Sequence, residues 1–463
     1  MTHPAREYDV VIAGGGLAGR SLAFFLSREP GLSGARILII DDAGDRYPHR
    51  SLIYWHDGAL PLPLTPAATF TNLAVDAGPA QRVLPLERHR LCLTSSRDVF
   101  RCLDDVIDAN PQISRLDARV SRVRAHADSV DVALSDSRLV TASHCFDSTL
   151  PPTGITAPLL MSGEVHRVRT AHDSFDPSTA TFIDFRSGEH HPVHFHCVLP
   201  LSAREAVVEV TRIMPGRTPT PEFTFEQATS DYLRKVWGVN EFSSLSVERG
   251  SIPLGIRPRS PRGRHVRTGC PAGAVKATTG YGFTRILRQT QHLASTLAST
   301  GSPDAPRPSP RFRWYDRPLL KMWEHDPEHA VHFMRAAFTS GDADLVPTSS
   351  TSGPRSYRNG GCSGPCRSRC SCSRVSGSEP VIRTSRPAEP EHQRSARGRN
   401  SFDTGARGSL RAPDVVAPCP QREVGLCAGF DGRACAVERA DDGSHAVAVS
   451  GMDRLGECFS SKP

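Results

Sequence analysis

The sequence predicts an α/β fold: a Rossmann-like domain carrying an inserted mixed or antiparallel β-sheet, then a helical C-terminal part and a disordered tail. Three observations carry this reading. At Tyr8 to Leu26 a β-rich run, a glycine-patterned turn and a helix-compatible stretch follow one another directly. From about Pro151 to Ser260 successive β-rich runs are separated by turn signals. Helix-compatible sequence then continues to Val346, where the composition changes abruptly. The expected divisions are therefore 1–150, 151–260, 261–346 and 347–463.

The first unit rests on YDVVIAGGGLAGRSLAFFL followed by ILIIDD at Ile37 to Asp42. The apolar run Val10 to Ala13 leads into Gly14-x-Gly16-x-x-Gly19, then a helix, then a second strand ending in acid. This is a βαβ dinucleotide fingerprint, in which Gly14 permits a tight turn, Gly16 lets the backbone approach a pyrophosphate, and Gly19 lets helix and strand pack closely. Free N–H groups and the helix dipole at the helix start favour the anion. Asp41 or Asp42 could accept hydrogen bonds from ribose hydroxyls. A glycine-rich surface turn is the alternative, against which the flanking strand, helix and acid argue. The position of the fingerprint near the start of the sequence points to FAD rather than NAD, an analogy at the level of fold.

The 463 residues suffice for two or three domains with a substantial core. The first ten residues, MTHPAREYDV, contain no apolar signal core, and no stretch reaches the ~18 apolar residues that span a bilayer. Neither export nor transmembrane insertion is expected. Five of the 13 cysteines lie before Val346 and read as ordinary thiols of a cytosolic enzyme. The net charge is +7, but from Val346 onward 17 basic residues face 12 acidic ones, leaving 39 against 37 before it. A nearly neutral globular part gives no argument for a nucleic-acid partner, which would need a basic face interleaved with aromatics.

After the fingerprint, HRSLIYWHDG (His49 to Gly58) reads as a strand or loop near the nucleotide, with Trp55 as a packing residue. Ala80 to Leu93 reads as strand and turn, and Ser95 to Ile107 has helical spacing with Ser95 or Ser96 as N-cap. Arg119 to Ala142 alternates twice, as a hairpin does, and runs into a strand ending at Phe146 and Asp147. Ala180 to Arg186, Val193 to Ser202 and Glu205 to Ile213 are the β-rich runs of the inserted sheet, and a helix follows at Thr224 to Trp237. Arg267 to Leu297 is glycine-rich and then helical from about Tyr281, a second cradle for phosphates or for a flavin ring. Arg311 to Val346 reads as amphipathic helix.

Several blocks, in order, carry a family resemblance: GGGLAG, RSLIYW (Arg50 to Trp55), FDS (Phe146 to Ser148), FDPSTATFIDFR (Phe175 to Arg186), FHCVLPLS (Phe195 to Ser202), VVEVT (Val207 to Thr211), ERGSIPL (Glu248 to Leu254) and RTGCPAGAVKATTGYGFTRI (Arg267 to Ile286). Over about residues 5 to 345 the chain resembles the flavin-dependent lycopene β-cyclases of bacteria and plants. The resemblance implies closure of the linear ends of lycopene into β-ionone rings, an isomerisation that needs reduced FAD, with NAD(P)H as reductant, although no electrons leave with the product. It also implies an acid to protonate the terminal C1=C2 bond, stabilisation of a tertiary carbocation, a base for the C6 proton, and exclusion of water.

Glu209, in VVEVT, matches the functional glutamate of the family; a carboxyl flanked by valines is desolvated, which raises its pKa and suits it to proton donation. The alternative is a solvent-facing strand glutamate, because alternation puts Glu209 opposite its immediate valine neighbours. Asp184 and Arg186 are candidates either for a proton network or for a structural ion pair, and Glu248 and Arg249 either shape the site or pair elsewhere. The resemblance assigns flavin contacts to Asp147, to the Gly269 to Gly273 turn, and to Lys276 through Gly280 to Tyr281. Ala277 and Thr278 replace the proline and serine usual in the family. His194, His196 and Cys197 lack a third ligand at metal spacing, and Cys362, Cys366, Cys370 and Cys372 are irregularly spaced, so no metal is expected.

Since lycopene dissolves only in lipid, a cytoplasmic protein attached peripherally to a membrane surface is expected. A flavin monooxygenase, a polyprenyl reductase or a catalytically inactive flavin-binding relative are the alternatives. From Pro347 onward the Gly, Pro, Ser and Arg content predicts disorder and is the composition that out-of-frame GC-rich DNA yields.

Overall fold

The computed structural model describes residues 7–339, with breaks at 43, 45, 57, 59, 79–80, 151–156, 188–192, 216–222, 257–262 and 305–309, and three strands beyond them. The first elements are β1 (Tyr8–Ala13), α1 (Leu17–Leu26), β2 (Ile37–Asp41), β3 (Ser51–His56), β4 (Ala68–Phe70), β5 (Asn72–Asp76), β6 (Gln81–Pro85), β7 (Arg90–Ser95) and α2 (Ser96–Asp108). Then follow β8 (Ile113–Asp117), β9 (Val120–Ala125), β10 (Val130–Leu134), β11 (Leu139–Asp147), β12 (Leu159–Thr170), β13 (Thr179–Asp184), β14 (His194–Pro200) and β15 (Glu205–Pro215). The series continues with α3 (Phe225–Trp237), β16 (Phe242–Leu254), β17 (His265–Arg267), α4 (Phe283–Thr300), α5 (Pro310–His325) and α6 (Pro327–Thr339).

Three sheets build this part. The first runs β8-β2-β1-β11-β10-β9, with β17 beside the end of β11; β1 is parallel to both β2 and β11, and β9 and β10 close it as an antiparallel hairpin. The expected βαβ unit and hairpin are thus both present. β1 and α1 are mostly buried, and α1 packs on α2 and α4. Ser95 caps α2, its hydroxyl accepting from the Arg97 amide at 3.1 Å. Arg20 of α1 and Arg115 of β8 both reach the buried Asp104 of α2, at 3.1 and 2.5 Å, and pin the helices to the sheet edge.

The second sheet runs β16-β12-β15-β14-β13-β5-β6 and is mixed: β5 lies parallel to β13, and the other neighbours are antiparallel. It draws two strands from residues 72–85, far ahead of the run from 159 to 254 that supplies the rest. Both faces are covered. α3 packs Tyr232 and Leu233 onto Val168, Val198 and Val208 on one face. On the other, Val207, Ile213, Cys197 and Phe182 meet Trp55 of β3 and Trp323, Ala330 and Val331 of α5 and α6. A small antiparallel sheet, β3-β7-β4, lies beside it and carries Trp55, which is buried and meets Phe182 edge-on at 5.5 Å.

The amphipathic stretch from Arg311 is two helices rather than one. Asp326 accepts from the His329 amide at 3.0 Å and so caps a new helix that starts with proline in its first turn. α6 is tied to the second sheet by Arg335, which donates to the fully buried Asp76 at 2.8 Å. Residues 340–346 lie outside the described residues. A second compact unit, Gly364–Pro463, contains the antiparallel strands β18 (Gly425–Ala428), β19 (Ala434–Arg439) and β20 (His445–Ala446). Otherwise the tail that the sequence predicts to be disordered lies outside the described residues.

Candidate active site

The glycine turn between β1 and α1 is built as its spacing requires. Gly14 has φ +98°, and its amide donates to the Ile40 carbonyl at 2.8 Å, locking the turn onto β2. A Cβ on Gly19 would stand 1.9 Å from the Gly14 carbonyl oxygen, so only glycine lets the helix start so close to the strand. Gly16, the N-cap of α1, meets nothing within 4 Å where its Cβ would be, and the first turn of α1 holds no acid. The exposed helix start is therefore free for an anion. Asp41 reaches Gly15, whereas Asp42 is paired with Arg119 at 2.8 Å, which leaves Asp41 as the acid facing the turn.

Two further segments close on the same helix start. Ser148 hydrogen-bonds the Ala13 carbonyl through its amide (2.9 Å) and hydroxyl (3.1 Å), so the end of β11 abuts the glycine turn. Asp147 is buried and accepts from His265 at 3.0 Å and from the Thr149 hydroxyl and amide at 2.6 and 2.9 Å. Burial pushes this carboxyl up, but those donors and the Arg267 guanidinium outweigh it and hold the pKa at about 2. Asp147 is thus a structural knot between β11, β17 and the turn after it. Gly269 has φ +66°, its Cβ position is 2.8 Å from the Ala18 side chain, and its amide donates to the buried Gln289 of α4 at 2.9 Å. Gly273, φ +70°, ends the short turn Cys270–Ala272. Residues 13–19, 147–149 and 268–274 form one cradle, and its open glycine and bare helix start fit a dinucleotide.

From this cradle the chain crosses to the second sheet. Lys276 does not point back into it: its ammonium pairs with Asp316 of α5, to which the Thr278 hydroxyl also donates at 3.3 Å. Burial lowers the lysine pKa and Asp316 opposes that shift. The loop is held closed by the Gly280 amide on the Lys276 carbonyl and the Lys276 amide on the Tyr281 carbonyl, both 2.9 Å. Gly280, φ +72°, lies so close to Met161 and Ile252 that a Cβ would stand 2.6 Å from the Met161 methyl. Tyr281 stacks on Phe182 at 6.3 Å. The loop therefore spans the inner face of the second sheet from β12 and β16 to β13.

Glu209 stands on that inner face, under the loop. Cys197, Glu209, Val165 and Glu248 are register partners across β14, β15, β12 and β16, so all four point the same way. Val208 and Val210 face α3 instead, and Glu209, on the face that Trp55, α5 and α6 cover, is half-buried between these two buried neighbours. Burial raises the Glu209 pKa and Glu248 raises it further, against one donor, the Thr211 hydroxyl at 2.8 Å. Glu248 accepts from the Ser51 amide at 2.7 Å and from its hydroxyl at 2.9 Å, and lies 3.5 Å from the His49 imidazole. The start of β3 is thereby fastened to β16.

Asp184 and Arg186 belong elsewhere. Asp184 pairs with His196, whose row faces α3, and its carboxylate takes Arg186 at 2.6 Å and the Tyr232 hydroxyl at 2.7 Å. The His196 ring lies flat on Tyr232 at 3.9 Å, and burial holds its pKa at about 3, so it is neutral. This cluster is a buried polar core beneath α3, across the sheet from Glu209. Arg249 is likewise turned away, paired with Glu164 at 2.5 Å. No group of three or more His, Cys, Asp or Glu side chains forms a metal site among the described residues.

Three site residues escaped the sequence reading. Thr211 could have been found from period-two alternation, which puts it on the same face as Glu209. Ser51 and Asp316 meet their partners across 197 and 40 residues, and no local pattern signals either contact.

A family model described as lycopene cyclase protein matches residues 9–340. A comparison with curated proteins returns no match. Among solved structures, HpxO from Klebsiella pneumoniae complexed with FAD aligns with TM-score 0.53 and 14% identity over 75% of this chain and 100% of that one. A geranylgeranyl bacteriochlorophyll reductase-like protein from Thermoplasma acidophilum aligns with TM-score 0.51 and 14% identity over 74% of this chain and 90% of that one. The p-nitrophenol 4-monooxygenase of Pseudomonas putida aligns with TM-score 0.51 and 15% identity over 73% and 95%. These likenesses show a fold shared with FAD-dependent enzymes. With the match running through the glycine turn, Glu209 and the loop that joins them, the chain belongs to the lycopene cyclase family.

Proposed function

We propose that the protein closes the linear ends of lycopene into β-ionone rings, giving γ- or β-carotene. The observation that carries this reading is the position of Glu209: a carboxyl whose burial favours the protonated form, on a covered apolar face, beneath a loop that issues from the dinucleotide cradle. The acid form of Glu209 gives its proton to C2 of the terminal double bond. The cation left at C1 is attacked by the C5=C6 bond, which forms the C1–C6 bond and moves the charge to C5. Loss of the C6 proton to the Glu209 carboxylate then completes the ring and restores the acid, so neither protons nor electrons are consumed overall.

Glu248, fixed by Ser51, supplies negative charge two strands away, and the Tyr281 and Phe182 rings supply π-faces near the developing cation. The apolar cover of this face excludes the water that would quench it. The helix start at Gly16, with Gly14, Gly19, Gly269, Gly273 and Asp41 around it, would hold the FAD, and Gly280 lets the following loop lie close over the sheet. When bound there, reduced FAD would supply electron density that stabilises a cation, and NAD(P)H is its proposed reductant. We place the protein in the cytoplasm, on a membrane surface from which the carotenoid enters; among the described residues no helix is long and apolar enough to cross a membrane, and Trp314 of α5 and Phe333 of α6 expose apolar rings.

Expression in a lycopene-accumulating bacterial host, beside a Glu209→Gln variant, tests the reading. Cyclised pigment from the parent and a loss of at least about 100-fold in the variant, with flavin retained, is the expected result. Lycopene unchanged by a parent chain that carries flavin would overturn it.

A further inference from the structure

We infer that Thr211 is a positioning residue that decides which oxygen of Glu209 carries the transferable proton, an inference that rests on the cyclase reading above. The two residues are neighbours but one on β15 and share its inner face. The Thr211 hydroxyl donates to Oε1 of Glu209 at 2.8 Å. Opposite Thr211 on β12 stands Gly163, where a Cβ would lie 2.9 Å from the threonine hydroxyl and 2.6 Å from the Val210 carbonyl oxygen. Glycine at that position leaves the space in which the hydroxyl turns to Glu209.

In a carboxylic acid the carbonyl oxygen is the better acceptor and the other oxygen carries the proton. A donor fixed on Oε1 therefore keeps the carbonyl there and the acidic proton on Oε2. The groups facing Glu209 from the packed elements are Glu248 of β16, Cys197 of β14 and Tyr281 of the roofing loop, and Thr211 is the donor to its carboxyl among the described residues. When Oε2 gives up its proton to carbon, charge develops on the carboxylate, and the bond from Thr211 becomes charge-assisted. The interaction is thus stronger after proton transfer than before it, which is the condition for lowering the barrier.

Thr211→Val and Thr211→Ser, in the full-length chain, separate this role from packing. Turnover, KM, the pH profile and the infrared carbonyl band of the Glu209 carboxyl, identified by its loss in Glu209→Gln, are measured on each. The valine variant is expected to lose about tenfold in turnover with KM within about twofold. Its alkaline limb moves to higher pH, since the donor that favours the carboxylate is gone, and its carbonyl band moves up. Serine restores all of these. Wild-type turnover with an unmoved band in the valine variant, or failure of serine to restore, overturns the inference. If the band moves although the parent forms no ring, the cyclase reading falls and the hydrogen bond stands; if the parent cyclises and the band does not move, the reverse holds.

Discussion

Glu209 and Glu248 meet the same residue, Val165, from opposite sides: one is its register partner on β15, the other on β16. Two strand spacings of about 4.8 Å put their backbones roughly 10 Å apart with both carboxyls on one face. The Val165 side chain stands between them on that face, and Glu248 disfavours ionisation of Glu209.

Because the folded pKa of Glu209 is raised, this group is protonated above its ordinary 4.5. Cyclisation is therefore expected to hold at low pH and fall as pH rises through the raised value. The same shift adds stability that is full below 4.5 and lost as pH rises through the folded pKa. Urea midpoints against pH should fall on the alkaline side for the parent, and Glu209→Gln should lack that fall.

Asp147 has the opposite sign. Its pKa drops from 3.8 to about 2, so its contribution is present above 3.8 and disappears as pH falls towards 2. The shift corresponds to about 2 kcal/mol. Asp147→Asn should cost roughly that much at neutral pH and flatten the acid limb of stability, read from denaturant midpoints between pH 2 and 7.

The two glycines at the start of α1 should behave differently. Gly19→Ala would set a methyl 1.9 Å from a backbone carbonyl oxygen and is expected to abolish folding of the first domain, seen as insoluble or molten protein. Gly16→Ala meets nothing within 4 Å and has an ordinary φ of −75°, so stability should change by under about 1 kcal/mol. On the proposed function its methyl would stand in the path of a phosphate, and flavin content after purification should fall at least about tenfold.

Local chemistry was legible in the sequence and long-range placement was not. β1, the glycine turn and β2 announce themselves because strand, turn and helix start are neighbours, and Ser95 is identifiable as a cap from its place before a helical pattern. The β-rich runs of the second sheet are equally visible, but nothing in Asn72–Asp76 says that it will lie beside Thr179–Asp184. Period two places Glu209 opposite Val208 and Val210 without saying which face is covered; the answer, both, comes from α3 on one side and from Trp55, α5 and α6 on the other. For the same reason Asp184 and Glu209 resemble site partners in sequence and stand on opposite faces in space.

The pairing of β5 with β13 also governs how the chain must assemble. β5 and β6 emerge early as a two-stranded ribbon, and such ribbons are marginal in water. Their sheet cannot accept them until β13, about a hundred residues later, has been made, and β13 in turn leans on β14 and β15. Until then β5 presents an unpaired edge, the one that β13 covers in the finished protein. Synthesis therefore carries a window in which an unfinished chain can pair with another copy of itself, and slow translation or the want of a chaperone between residues 85 and 215 would show as aggregation rather than as an inactive fold.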